Sequence, residues 1–306
     1  MTYYGSLLCC ETAIEKQRIG MGNELLYLYP PSSAPVELEG VYLQENFVCG
    51  RQAGSENADT PYIYANFLTS LDGRIAVRAE GEPHYSLPQG LTSETDFRLF
   101  LELYAHADCI VTHSGYLRAL AAGRLDNVLQ IPQFEWTEYI HEWRAARGMK
   151  AAPDVVIVSG GLDFPLHDSL TAHGQQVHIV TGVEATDDRK RTLIADGREV
   201  HALGGQRHVN SVELKEFLGR LHYQQVYLVA GPLLLEDMLA RQQLDRLYVT
   251  VRHQLFGGED FQTLIPSLNL GSTGHLSLRQ LYMEQEENDE PGQWYASFDC
   301  SRTMKE

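Results

Sequence analysis

Long apolar runs, paired cysteines and positive charge are what this chain has little of. No apolar run approaches the ~18–20 residues that cross a bilayer, and no basic N-terminal segment leads into an apolar one, so neither a membrane span nor a signal peptide is expected. The cysteines (Cys9, Cys10, Cys49, Cys109 and Cys300) are odd in number and show no C-x-x-C spacing. That disfavours a zinc ribbon or a disulfide framework and points to free thiols in the cytoplasm. The pair Cys9-Cys10 has Glu11 beside it rather than a basic group, so it lacks the setting of a reactive thiolate. Lys and Arg number 24 against 41 Asp and Glu, a formal net charge of −17. Such a surface repels polyphosphate, so nucleic acid is not an expected partner, and any anionic ligand needs a local basic pocket. G-x-S-x-G, H-E-x-x-H and G-x-G-x-x-G are absent, which argues against an α/β-hydrolase, a zincin and a standard Rossmann fingerprint. His167, His173 and His178 fit neither one helix face nor a known zinc spacing, so no metal site is expected.

What is present is a globular composition: 306 residues, 43% hydrophobic and 21% charged, enough for one large domain or two modest ones. Residues 1–60 stand apart. Tyr29 to Pro35 reads Y-P-P-S-S-A-P, which no regular element accommodates, and Gly50 to Thr60 is small and polar. Val36 to Val48 has material for one or two short strands. The region reads as an irregular extension on a main domain, residues 61–306.

From Pro61 short apolar runs alternate with helical periods. Strands are expected at Tyr62–Leu68, Cys109–Thr112, Asp154–Ser159, Val177–Thr181, Glu199–Leu203, Val226–Ala230 and Arg246–Val251. Helices are expected at Ser93–Ala107, at Glu135–Arg147, ending near Leu193–Asp196, after the capping-box pair Asn210 and Glu213, and from Gly231-Pro232 through Gln242. Leu276–Met283 and Trp294–Phe298 suggest an antiparallel pair around the acidic loop Glu284–Gln293. The sum is a three-layer α/β domain: a mostly parallel sheet, Val226–Ala230 central, with antiparallel C-terminal strands.

Ligands of such sheets sit beyond the carboxyl ends of the strands. The first of those loops holds Thr69, Ser70 and Asp72 in S-L-D-G; its plain reading is a turn in which Asp72 bonds backbone amides. After Thr112 comes His113-Ser114-Gly115-Tyr116, then Arg118, either a phosphate cradle or an ordinary helix start. Ser159-Gly160-Gly161 admits both readings equally. The most suggestive loop is Ala230-Gly231-Pro232-Leu233-Leu234: glycine permits close approach, proline suits a first helical turn, and first-turn amides could hold a pyrophosphate. The run Asp187–Arg191 reads as a solvated helix face, with contact to an adenosine 2′-phosphate the lesser alternative.

The series S-L-D-G-R-I-A at 70–76, A-D-C-I-V-T-H-S-G-Y-L-R-A at 107–119, L-V-A-G-P-L-L-L at 228–235, L-D-R-L-Y-V-T-V at 244–251 and L-F-G-G at 255–258 resembles the riboflavin-pathway pyrimidine reductases. These form the reductase half of bifunctional deaminase–reductases and share the dihydrofolate-reductase-like fold. The extension carries no H-x-E and no P-C-x-x-C, so it does not resemble the deaminase half. The resemblance implies a homodimeric, NADPH-dependent reductase, with its dimer formed through C-terminal strands. Leu68, Thr69, Thr112, Ser114, Gly115, Tyr116, Ser159 and Ala230 to Leu234 would line the cofactor. Asp72, Tyr85 and Arg118 would face a heterocyclic substrate, as in the 5-amino-6-(5-phosphoribosylamino)uracil reductase step.

Three positions depart from the family pattern: Asn66 stands where it has lysine, Leu120 where it has an aspartate, and Val229 where it has glutamate. Poor turnover of the phosphoribosyl substrate is therefore expected. Two alternatives stay open: a non-catalytic nucleotide-binding protein on the same fold, or a dihydrofolate-type reductase with a pterin substrate.

Overall fold

The computed structural model describes residues 24–32, 34–47, 60–125, 127–182, 187–195, 197–204, 209–285 and 291–300. Cys9, Cys10, Cys49, nearly all of the Gly50–Thr60 stretch and the middle of the acidic loop lie outside them.

The chain opens with β1 (Glu24–Tyr29) and β2 (Val36–Glu37), then enters β3 (Tyr62–Ser70) and the short β4 (Ala76–Val77). Helix α1 (Glu94–His106) leads to β5 (Cys109–His113) and α2 (Ser114–Ala121); α3 (Glu138–Ala146) leads to β6 (Asp154–Val158). Next come β7 (Val177–Thr181), α4 (Asp187–Ala195), β8 (Glu199–Ala202), α5 (Ser211–Arg220) and β9 (Gln225–Leu228). Helix α6 (Pro232–Ala240), β10 (Arg246–Arg252), β11 (Phe261–Gln262), β12 (Leu276–Glu284) and β13 (Gln293–Cys300) complete it. One 11-stranded sheet runs β2-β1-β12-β13-β10-β3-β9-β5-β6-β7-β8, and β11 pairs separately with β4.

The strand from β10 to β8 in that order are mutually parallel, whereas β13, β12 and β1 are antiparallel. Strand β9 lies between β3 and β5, the central place expected of Val226–Ala230. Its Val226, Tyr227 and Leu228 are buried, as are Ile63 to Ala65 of β3 and Val155 to Ile157 of β6. Continuous burial on both faces is why these strands read as unbroken apolar runs. Tyr64 stacks on Tyr227 at 5.0 Å and on Phe47 at 4.6 Å.

Caps follow local chemistry. The Ser93 hydroxyl accepts from the Asp96 amide and starts α1. Asn210 caps α5 through the Val212 amide. The Glu213 carboxylate takes the Gly204 amide instead of closing a capping box on Asn210.

Residues 24–32 and 34–47 add a strand where an irregular extension is expected, while of the strand material in Val36–Val48 only Val36–Glu37 is a strand and the described remainder to Phe47 is turns. Strand β1 was not legible there, yet it pairs with β12 and widens the sheet. Leu38, Val41, Tyr42, Leu43 and Phe47 are core residues. Their turn is held by Glu102, which accepts from the amides of Gly40 (2.6 Å) and Tyr42 (2.8 Å) and from the Tyr139 hydroxyl (2.8 Å). His106 Nε2 donates to the Tyr42 carbonyl at 2.8 Å, and buried Arg246 pairs with buried Glu45 at 2.8 Å. Burial holds His106 down at about 4, so its ring is neutral. Strand β10, flanked by β3 and β13, is mostly buried and presents no broad apolar face; Leu278 of β12 and Trp294 of β13 are each 37% exposed.

Candidate active site

Because the strands from β10 to β8 are parallel, their carboxyl ends share one rim. The chain steps outward from β5 to β8, then returns to β9 beside β3. Loops 69–76, 112–116, 229–234 and 252–258 therefore share one end of the sheet, around the reversal of strand order, the place where open α/β sheets take their ligands in a crevice.

On one side of the crevice the S-L-D-G loop is locked. The Ser70 hydroxyl donates to Asp72 Oδ1 at 2.5 Å and accepts from the Arg74 amide at 3.0 Å. Asp72 Oδ2 accepts from the amides of Phe256 (3.2 Å) and Gly257 (2.8 Å) and pairs with Arg74 at 2.6 Å. Gly73 makes the turn at φ +79, a conformation that favours glycine. Burial pushes the Asp72 carboxyl up, but the Ser70 hydroxyl, the Gly257 and Phe256 amides and Arg74 outweigh it and hold it below the usual carboxylate range. The amide-bonded turn is thus the observed role of Asp72, and it reaches across to a second loop; 19% of the side chain stays exposed. Arg74 continues to the Gly258 carbonyl (3.0 Å) and stacks on Phe261. Tyr85, half-buried, donates to Asp260 at 2.6 Å, and Arg78 holds the other oxygen of that carboxylate. Sequence reasoning missed Phe256, Gly257 and Asp260 as partners in this clamp. Their signal was the glycine pair Gly257-Gly258, a turn that lets backbone amides face a carboxylate.

On the other side, backbone is freer. Leu68, Thr69 and Thr112 are buried, and the Thr112 hydroxyl has no hydrogen-bond partner among the described residues. His113 Nδ1 accepts from the Gly115 amide at 3.1 Å and caps α2, with burial keeping the imidazole well below its ordinary pKa. A Cβ on Gly115 would meet the His113 ring at 2.7 Å, which accounts for the glycine. Ser114 begins that helix, half-exposed. The Tyr116 side chain turns into the core, where its hydroxyl accepts from the Val128 amide at 2.9 Å, so only its backbone is left for a ligand. Buried Ser159 accepts from the Leu162 amide at 3.0 Å and caps its own turn. Arg118, exposed, donates to the Asp163 carbonyl at 2.7 Å, and Arg189 pairs with the Asp163 carboxylate at 2.6 Å. Two cations thus flank the loop after β6.

After β9, Ala230 is buried and Gly231 is the N-cap of α6, with no side-chain cap and with Pro232 in the first turn. Leu233 is 65% exposed and Leu234 half-buried. A nine-residue helix whose first turn has no capping side chain suits an anion. The Thr112 hydroxyl near the end of β5 is orphaned but fully buried, so the uncapped turn is the part that fits the phosphates of a nicotinamide dinucleotide. The departures are visible too. Asn66 is half-buried in mid-β3, Leu120 packs against the core, and buried Val229 donates its amide to the Val111 carbonyl at 2.9 Å.

Comparison with known proteins gives the family. The profile of the RibD C-terminal domain matches residues 61–289. A 2,5-diamino-6-ribosylamino-4(3H)-pyrimidinone 5′-phosphate reductase from Archaeoglobus fulgidus is 24% identical over 204 residues, 67% of this chain and 85% of that protein. Among solved structures, a pyrimidine reductase-like protein from Corynebacterium diphtheriae superposes with a TM-score of 0.58 at 19% identity, over 84% of this chain and 98% of that one. RibD from Acinetobacter baumannii superposes with a TM-score of 0.54 at 15% identity, over 79% of this chain and 58% of that one. With about three quarters of its length inside the matched profile, the chain belongs to the RibD C-terminal domain family.

Proposed function

We propose that this chain is an NADPH-dependent reductase that passes a hydride to a pyrimidine-type heterocycle of the riboflavin pathway. The observation that supports the reading is the first turn of α6, without a side-chain cap, at the same end of the sheet as the locked Asp72 loop. NADPH supplies the hydride from nicotinamide C4. The amides at the start of α6 hold its pyrophosphate, and Gly231 lets the phosphates approach the backbone. The Thr112 hydroxyl and the backbone at Leu68, Thr69, Ser114 and Ala230 edge the nicotinamide side. Arg118 and Arg189 provide the local positive charge that a phosphate needs on a chain of net charge −17. The protein's part is orientation and electrostatics rather than covalent catalysis. The enzyme works in the cytoplasm as a homodimer, with the face bearing Leu278 and Trp294 against its partner.

A narrower substrate reading rests on Asn66, Leu120 and Val229. Neutral side chains there leave a charged ribosyl phosphate tail without partners, and a site that cannot pair a substrate's polar groups rejects it by orders of magnitude. That favours a smaller or less charged ring. The deciding experiment is NADPH oxidation with phosphoribosylaminopyrimidines, unphosphorylated analogues and dihydropterins. A kcat/KM of about 10⁴ M⁻¹s⁻¹ or more on the phosphorylated pyrimidine assigns the pathway substrate; the same figure on an uncharged ring or a dihydropterin assigns the narrower one. NADPH binding with no turnover of any of them leaves a nucleotide-binding protein.

A further inference from the structure

Away from the crevice, at the far edge of the sheet, β7 and β8 pair in parallel with His178 opposite Glu199 and Val180 opposite His201. Residues in register on neighbouring strands share a face, and so do residues two apart on one strand. His178, Glu199 and His201 therefore project together, although their separation in sequence matches no zinc motif. His178 Nδ1 lies 3.1 Å from Glu199 Oε2, His201 Nε2 lies 3.6 Å from the same oxygen, and the three ligand atoms all fall within 4.8 Å of one another.

We propose that this triad is a divalent transition-metal site of the zinc class, held by one carboxylate oxygen and two imidazole nitrogens. Tetrahedral zinc with bonds of about 2.0–2.2 Å to N and O places neighbouring ligand atoms about 3.4 Å apart, between the two distances to Glu199. The gap from His201 to Glu199 is too long for a hydrogen bond but suits two ligands of one ion. His201 Nε2 is buried and has no hydrogen-bond partner among the described residues. Both imidazoles thus converge on one carboxylate oxygen, His201 at ion-pair distance, which is how ligands gather around a cation. Both rings are positioned by packing: His201 lies on Phe217 at 4.6 Å, and His178 meets Phe217 at 6.0 Å and Tyr223 at 6.4 Å, edge-on. Their side chains are 7% and 31% exposed, whereas Glu199 is 67% exposed. The ion thus enters from solvent past the carboxylate and keeps at least one water. Imidazole nitrogen with a single carboxylate selects zinc, cobalt, nickel or copper over magnesium or calcium. His178 sits near the start of β7, away from the carboxyl rim, so the metal's work is structural. It ties edge strand β8 to β7, adding to the backbone ladder and to the His178–Glu199 contact that already crosses the pair.

The test uses the full-length, tag-free protein stripped with a chelator and titrated with Co²⁺, then with Zn²⁺ against a chromophoric indicator. The expected result is one equivalent bound per chain, visible d–d bands with Co²⁺, and an upward shift of the thermal midpoint with Zn²⁺. Magnesium should do neither. Glu199→Gln and His201→Ala, both at partly exposed positions, should keep the native circular dichroism, weaken binding more than about tenfold and abolish the thermal shift. His178→Ala should do the same but removes a buried ring, so the two exposed variants decide. Failure to bind Co²⁺ or Zn²⁺ at micromolar concentration overturns the proposal. So does one-equivalent binding that survives both exposed variants, which would place the ion on other histidines.

Discussion

The two walls of the crevice are built on opposite plans. Around Asp72 every charge is answered from within the protein: one carboxylate gathers a hydroxyl, two amides and a guanidinium, and fastens loop 69–76 to loop 252–258. Around Gly231 no side chain among the described residues caps the helix terminus: the N-cap is glycine, the first residue is proline, and the Leu234 amide turns back to the Gly231 carbonyl at 3.2 Å. The first wall holds a shape; the second leaves donors for a ligand. A charged residue at a strand end is therefore a weaker sign of ligand contact than a glycine opening a helix, since the charge is often consumed by a neighbouring loop.

The largest expected effect breaks the open wall. Gly231→Val places a branched side chain where the phosphates should approach, and NADPH affinity should fall by ~2–4 kcal/mol, the cost of lost charge-assisted hydrogen bonds and fit. Titration of nucleotide fluorescence reads it directly; an unchanged affinity would move the cofactor elsewhere.

Next in size is a pH effect away from both walls. The folded His106 is held at about 4 against an ordinary value of 6.5. A depressed histidine binds fewer protons in the folded state than in the unfolded one, so its neutral form stabilises fully above pH 6.5, and that stability drains as pH falls toward 4. The advantage of wild type over His106→Gln in urea unfolding should shrink by up to about 3 kcal/mol across that window. A difference constant with pH would mean the ring is not desolvated against the 38–47 turn.

Breaking the closed wall should cost less. Asp72→Asn removes the charge that two amides and Arg74 share, and should destabilise by ~1–3 kcal/mol while raising KM for the heterocycle more than for NADPH. If KM for NADPH rises equally, the two walls are not separate devices. The smallest change is expected from Arg118→Ala, an exposed side chain: stability within error, NADPH affinity reduced, and NADH affinity unmoved if its charge serves the extra phosphate.

Much of the fold was legible because its strands are local. Asp154–Val158 and Val177–Thr181 are apolar runs between turns, and Ser93 and Asn210 announce their helices through short polar side chains. What escaped notice depends on distant partners. Glu24–Tyr29 becomes a strand by pairing with Leu281 to Met283, more than 250 residues away. Phe256 and Gly257 matter through Asp72, and His178 meets His201 only across a strand pair. Within the site, Ser159 and Tyr116 lie in loops where ligand contact is expected, but their side chains are engaged by Leu162 and Val128. Backbone contacts can be guessed from glycine and strand ends; side-chain direction cannot.

The proposed reaction is hydride transfer from NADPH bound at α6 to a ring held opposite. Stereospecifically labelled [4-²H]NADPH, incubated with the enzyme and a phosphoribosylaminopyrimidine or its uncharged analogue, tests it most directly by mass spectrometry of the product. One of the two C4 labels should appear in the product as a single added mass unit, and the other should stay in NADP⁺. Oxidation of NADPH that leaves every product unlabelled with either isotopomer, or binding with no oxidation at all, would contradict the account.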